Sequence, residues 1–332
     1  MRVPLALAKA LVPALAAGLL AACDEPADDG TVQVVTTVSP ITNIVQNVGG
    51  ELVTVTGIVP EGTNSHTFEP APSDARAMAE ADVVFMNGLH LEEPTRELAE
   101  ANAADGVEVV ELGSMTIGPD EYIFDFSFPR EAGDPNPHLW TNPPYAKRYA
   151  EIVKDKLSEL DPESADLYQQ NYEAFADRLD ALDIAVREAT DTVPPENRKL
   201  LTYHDSFPYF AREYGWDVIG AIQPSDFAEP TAQDVANLID QVRSEQVPAI
   251  FGSEVFPSPV LEQIAAETGA EYVSDLRDDD LPGENGDPDH SYVGLMVFDF
   301  RTFISALGGD ASAFDGVNVE NLQPGATVEY RS

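Results

Sequence analysis

Apolar positions fall along this chain in two alternating rhythms. Short runs rich in β-branched residues, at 34–38, 53–59 and 82–86, alternate with stretches whose apolar positions recur three and four apart, such as 73–81. The same order returns in the second half: 200–203, a helical segment ending at Tyr214-Gly215, 217–221, a loop ending Glu229-Pro230, a helix over 231–244, then 249–251. Strand runs alternating with helical ones imply parallel sheets with crossover helices. The pattern therefore predicts an α/β protein of two related lobes, each with a parallel sheet flanked by helices. Between the lobes, 143–193 is dense in helix formers, broken at Asp161-Pro162-Glu163, where Asp is a natural N-cap and Pro suits the first helical position. Leu167, Tyr168, Tyr172, Phe175, Leu179, Leu182 and Val186 then form one apolar stripe. That spacing predicts a helix from Pro162 to about Thr190, roughly 40 Å long, which suits a rigid spine joining the lobes. The expected partition is an N-terminal lobe over 34–145, a helical linker over 146–193 and a C-terminal lobe over 194–332. Residues 308–332, polar with scattered Gly, receive no role.

The first residues follow a different logic. Arg2 and Lys9 precede an uncharged run over 10–22. That run is about 13 residues, whereas a bilayer span needs roughly 20, so 1–22 reads as a secretory signal peptide. Leu20-Ala21-Ala22-Cys23 resembles the bacterial lipobox, with Cys23 as the lipidated residue, and 23–33 is a polar tether. Cys23 is the only cysteine, so neither a disulfide nor a thiolate metal cluster forms within one chain. The expected location is extracytoplasmic, lipid-anchored at a membrane surface, with the anchor as the only membrane contact.

Charge narrows the partners. With 59 acidic and 18 basic residues the formal charge is −41, which excludes nucleic acid as a natural ligand and draws cations instead.

Candidate chemistry lies in five histidines: His66, His90, His138, His204 and His290. His66 lies in the loop after the strand at 53–59, and His204 directly follows the strand at 200–203. His138 closes the long loop after the strand at 107–112, and Asp275 ends the run 271–275. Ligands of open α/β sheets bind beyond the carboxyl ends of the strands, so His66, His138, His204 and Asp275 are expected to converge in one inter-lobe cleft. Three imidazoles and a carboxylate form a four-coordinate set suited to Zn²⁺. A site filled by protein stores or carries metal rather than activating water, so no enzyme is expected. His90, Glu69 and His290 are candidates for supporting or alternative positions. The carboxylates of the acidic loops 118–135 and 277–290 are read as solvated surface.

Taken together, several motifs resemble the zinc/manganese substrate-binding lipoproteins of bacterial ABC importers. They are the lipobox, Ser65-His66-Thr67-Phe68-Glu69-Pro70, Met86-Asn87-Gly88-Leu89, Asn136-Pro137-His138-Leu139-Trp140, Tyr203-His204-Asp205-Ser206-Phe207 and Ser274-Asp275. The resemblance implies two α/β lobes joined by a long helix, metal held between them by His66, His138, His204 and Asp275, and delivery to an ABC permease by a monomeric receptor. It also implies that His at the third position, here His204, goes with zinc and Glu with manganese. The loop 118–135 lacks the His-rich stretch of many dedicated zinc members, so manganese or a dual-metal role stays open beside zinc. Readings from other classes are a secreted zinc hydrolase, with Glu69 as the nearest base, and an adhesin stabilised by metal. Protons competing for three imidazoles should release the metal below about pH 6.

Overall fold

Two parallel sheets with the same internal order form the framework. The computed structural model describes residues 30–223, 230–253, 258–277, 279–323 and 328–330. The expected signal peptide and Cys23 lie outside them. No helix among the described residues is long and apolar enough to cross a membrane.

The first half runs β1 (Val32–Thr36), α1 (Ser39–Gly49), β2 (Val53–Gly57), α2 (Asp74–Glu80), β3 (Val83–Met86), α3 (Glu93–Asn102), β4 (Glu108–Glu111) and α4 (Leu112–Thr116). Next come α5 (Pro143–Leu160) and α6 (Ala165–Thr192). The second half runs β5 (Lys199–Thr202), α7 (Pro208–Tyr214), β6 (Asp217–Ala221), α8 (Ala232–Glu245), β7 (Ala249–Phe251), α9 (Pro259–Thr268), β8 (Glu271–Val273) and α10 (Tyr292–Ala306), ending in β9 (Val328–Tyr330). The sheet orders are β4-β3-β1-β2-β9 and β6-β5-β7-β8, every pairing parallel. Apart from β9 the two sheets share one topology, so the expected repeat is present in the fold.

Local chemistry explains the boundaries. Pro40 stands in the first turn of α1 and Pro143 opens α5, where a missing N–H costs nothing. Thr231 caps α8 by accepting from the Asp234 N–H, while Asp234 accepts in return from the Thr231 N–H. A 3-10 turn at Pro162–Ser164 precedes α6, whose 28 residues extend about 42 Å. Tyr168, Phe175, Leu179, Leu182 and Val186 on its stripe are buried, whereas Leu167 is exposed. One continuous apolar core takes in Val34 and Phe85 of the first sheet, Tyr149 and Leu182 of the spine, and Phe210, Phe251 and Phe303 of the second half. A core shared in this way ties the lobes together.

The chain's end departs from the expected partition. Beyond α10 a 3-10 turn at Ala311–Gly316 buries Phe314. The Asn321 side chain then takes hydrogen bonds from Asn43 Nδ2 (2.9 Å) and Asn47 Nδ2 (3.0 Å) of α1. β9 finally joins β2, pairing Val55 with Val328 and Gly57 with Tyr330. The last strand therefore belongs to the first sheet, not to a C-terminal lobe over 194–332. It carries too few residues for its pattern to announce a strand.

Candidate metal centre

Each candidate histidine hangs from a loop at the carboxyl edge of a sheet or beside it. The loop after β2 carries His66, whose N–H donates to Asn64 Oδ1 at 2.9 Å. His138 precedes a 3-10 turn at Leu139–Thr141 that leads into α5. His204 follows β5, and its carbonyl accepts from Thr202 Oγ1 at 2.6 Å. Thr141 Oγ1 lies 2.9 Å from the His138 carbonyl and 3.0 Å from the Ser206 carbonyl, bridging the His138 and His204 loops of the two halves.

The three Nε2 atoms form a nearly equilateral triangle: His66–His204 3.0 Å, His138–His204 3.1 Å and His66–His138 3.2 Å. Nitrogens about 2.0–2.1 Å from one tetrahedral ion stand about 3.3–3.4 Å apart. The triangle is within a few tenths of an ångström of that arrangement. Among the described residues these three alone form a group whose potential ligand atoms all lie within 4.8 Å of one another.

Backbone and amide partners fix the rings. Asn136 Oδ1 accepts from both the His138 N–H (3.0 Å) and Nδ1 (2.8 Å). Its amide donates in turn to the Asp205 carbonyl (2.6 Å) and Asp125 Oδ2 (2.9 Å). Gln223 Oε1 accepts from His204 Nδ1 at 2.7 Å. A proton held on Nδ1 leaves the Nε2 lone pair aimed into the triangle, the state a metal requires. Burial lowers the pKa of His66 well below the usual imidazole value, with His204 adding to the effect. Burial, then His204 and His66, lower that of His138 well below it too. His204 is lowered by burial to about 4, against the opposing pull of Gln223. The adjacent Asp205 carboxyl is pushed well above the carboxylate range by burial and then by Asp125.

The structure brings three of the four expected ligands together. Asp275, two residues beyond β8, is exposed and its carboxylate stays outside the triangle. His90 is exposed, with Nδ1 2.8 Å from Glu93 Oε1. His290 is buried elsewhere, its Nδ1 3.2 Å from the Pro282 carbonyl and Nε2 3.6 Å from Glu61 Oε1. Glu69 is exposed in the His66 loop. Asn136 and Gln223 escaped the sequence reading. Asn136 had a signal, standing two residues before His138 in a quoted motif.

Comparison with known proteins bears on this geometry. Residues 34–306 match the ZnuA family, described as the periplasmic component A of the zinc-uptake complex. The manganese-binding lipoprotein MntA of Halalkalibacterium halodurans is 31% identical over 90% of this chain and 96% of its own. The iron-binding protein YfeA of Yersinia pestis is 30% identical over 83% of this chain and 86% of its own. The periplasmic zinc-binding protein TroA of Treponema pallidum superposes with a TM-score of 0.76 at 28% identity, covering 84% of this chain and all of that one (100%).

Proposed function

Since the chain belongs to the ZnuA family of periplasmic metal-binding components, we propose that it is the extracytoplasmic, lipid-anchored receptor of an ABC importer. Its cargo is Zn²⁺, captured between the two halves and passed to the permease. The observation that carries this reading is the Nε2 triangle, with sides of 3.0–3.2 Å built from loops of both halves. Relatives named for manganese, iron and zinc share the family, so the choice of metal rests on this chain's donors. Three nitrogens favour zinc over manganese, which prefers carboxylate, carbonyl and water oxygens.

Asp275 is the fourth ligand in this proposal. It sits where β8 ends, at the carboxyl edge of the second sheet, and closes on the ion from the side the triangle leaves open. The shared core confines any rearrangement to the cleft loops, and the permease reads those loops. Glu69 is exposed, which supports capture over hydrolysis.

Metal analysis of protein purified without added metal, followed by Zn²⁺/Mn²⁺ competition, tests the reading. The expected result is one zinc per chain and a preference for zinc over manganese. His138→Ala should abolish tight binding while the fold persists. Retention of tight binding by that variant would overturn the assignment of the site.

A further inference from the structure

We infer that Asn87 is a positioning residue for His138, and that buried Glu92 holds Asn87 in place through the left-handed turn between them. The inference rests on the triangle being the capture site, and deepens that reading.

Asn87 directly follows β3, is fully buried, and has each of its polar atoms engaged. Its Nδ2 donates to the Pro137 carbonyl at 2.9 Å and to the Gly88 carbonyl at 3.0 Å, while Oδ1 accepts from the Tyr149 hydroxyl at 2.7 Å. Its N–H donates to Glu92 Oε1 at 2.8 Å, and its carbonyl accepts from the Gly113 N–H at 2.8 Å. Pro137 immediately precedes His138, and Tyr149 stands on α5, into which the His138 turn leads. One side chain therefore grips the backbone before the ligand and the helix after it.

The peptide joining Pro137 to His138 is the point of leverage. Its N–H donates to Asn136 Oδ1 at 3.0 Å. Its carbonyl accepts from Asn87 Nδ2 and, within the tight turn, from the Leu139 N–H at 2.8 Å. Held at both edges, the peptide plane does not rotate, which fixes the direction in which the His138 side chain leaves the backbone. Asn136 then fixes the ring itself through Nδ1. A small tilt at the root would swing the distant Nε2 out of the triangle. Asparagine suits this place because it offers two donors and an acceptor in one plane; aspartate of the same shape has no donor, and glutamine is longer by a methylene.

Beyond Asn87 the chain passes through three residues at positive φ: Gly88 (75°), Leu89 (54°) and His90 (64°). Glycine takes this conformation freely, whereas leucine and histidine adopt it at a steric cost. Such strain persists where the surroundings over-determine the backbone. The buried Glu92 carboxylate does this here, accepting from the Asn87 N–H on Oε1 and from the Gly88 N–H on Oε2 at 3.1 Å. Thr37 Oγ1, just past β1, donates to Oε1 at 2.7 Å and fixes the carboxylate in turn. Leu89 is packed into the core.

The test uses the full chain, held well below its thermal midpoint, with zinc affinity from chelator competition and visible spectra of bound Co²⁺. Asn87→Ala should weaken zinc binding by about 10–100-fold and alter the cobalt bands. Glu92→Gln, which keeps the shape but sets an amide NH₂ against a backbone N–H, should move both readouts the same way by less. It also carries the test if the alanine variant does not fold. A merely structural role would lower the midpoint and leave affinity and bands as in wild type, and that result would overturn the positioning role. An effect of Asn87→Ala with none from Glu92→Gln would overturn the part assigned to Glu92. His138→Ala separates the two readings. Loss of zinc and cobalt binding in it upholds the triangle whatever Asn87 does, and retained binding refutes the site itself.

Discussion

Gln223 and Asn136 show how neutral amides would prepare the proposed metal site. Each takes an imidazole Nδ1 proton on its side-chain oxygen and so fixes both the tautomer and the direction of the lone pair. Loss of such a partner costs about 10–100-fold in metal affinity. Gln223→Ala is therefore expected to weaken zinc binding by about that factor with the thermal midpoint little changed, as chelator competition and a melting curve would show. Burial also changes the pH at which protons compete. A free imidazole titrates near 6.5, whereas His204 is lowered to about 4, with His66 and His138 lowered as well. Between those values the folded site holds fewer protons than free histidines would. Zinc affinity should then stay level as pH falls through 6 and decline only toward pH 4, which calorimetry in steps from pH 7.5 to 4.5 would follow. Unperturbed imidazoles would instead give the release below about pH 6. By the same sign, these rings make the metal-free protein less stable as pH falls from about 6.5 toward 4, because the unfolded chain takes up the protons first. The three histidines were legible in the sequence because each stands in a loop that follows a strand, His138 at the far end of the long one between β4 and α5. Their orienting amides were not, because an amide carries no chemical signature until the fold places it.

At the scale of elements, the repeated strand–helix order was legible because period and punctuation agree over many residues. β6 and β7 occur at the expected positions, and α6 falls within a few residues of expectation. The tail after α10 was not, since its order comes from contacts with distant elements. Phe314 is buried there against Phe300, with the Arg301 guanidinium over its ring. Asn321 and β9 carry the chain back to α1 and β2. This tail lies beyond the residues matched by the family. Phe314→Ala is expected to cost about 3–5 kcal/mol of stability in urea unfolding while leaving zinc affinity within a factor of two or so. A large loss of affinity instead would show that the tail supports the site.

Over the whole molecule, the charge of −41 works against compactness, because like charges repel across the surface. Added salt shortens the screening length from about 10 Å at 0.1 M to about 3 Å at 1 M. The urea midpoint should accordingly rise with KCl over that range, by on the order of 1 kcal/mol or more in stability. A flat response would mean that repulsion has no bearing on the fold. Two-lobed architecture was readable from the chain, but the degree of fusion was not. Periodicity assigns a residue to an element, while the continuity of the core from Val34 to Phe303 depends on how those elements meet.

The place of β1 has a mechanical consequence. It lies in the middle of its sheet, hydrogen-bonded to β2 on one side and β3 on the other. A tug arriving through the residues before Thr31 along the strand would meet two parallel ladders loaded in shear, many bonds at once, rather than an edge that peels one bond at a time. β1 is thus well placed to bear tension applied along it.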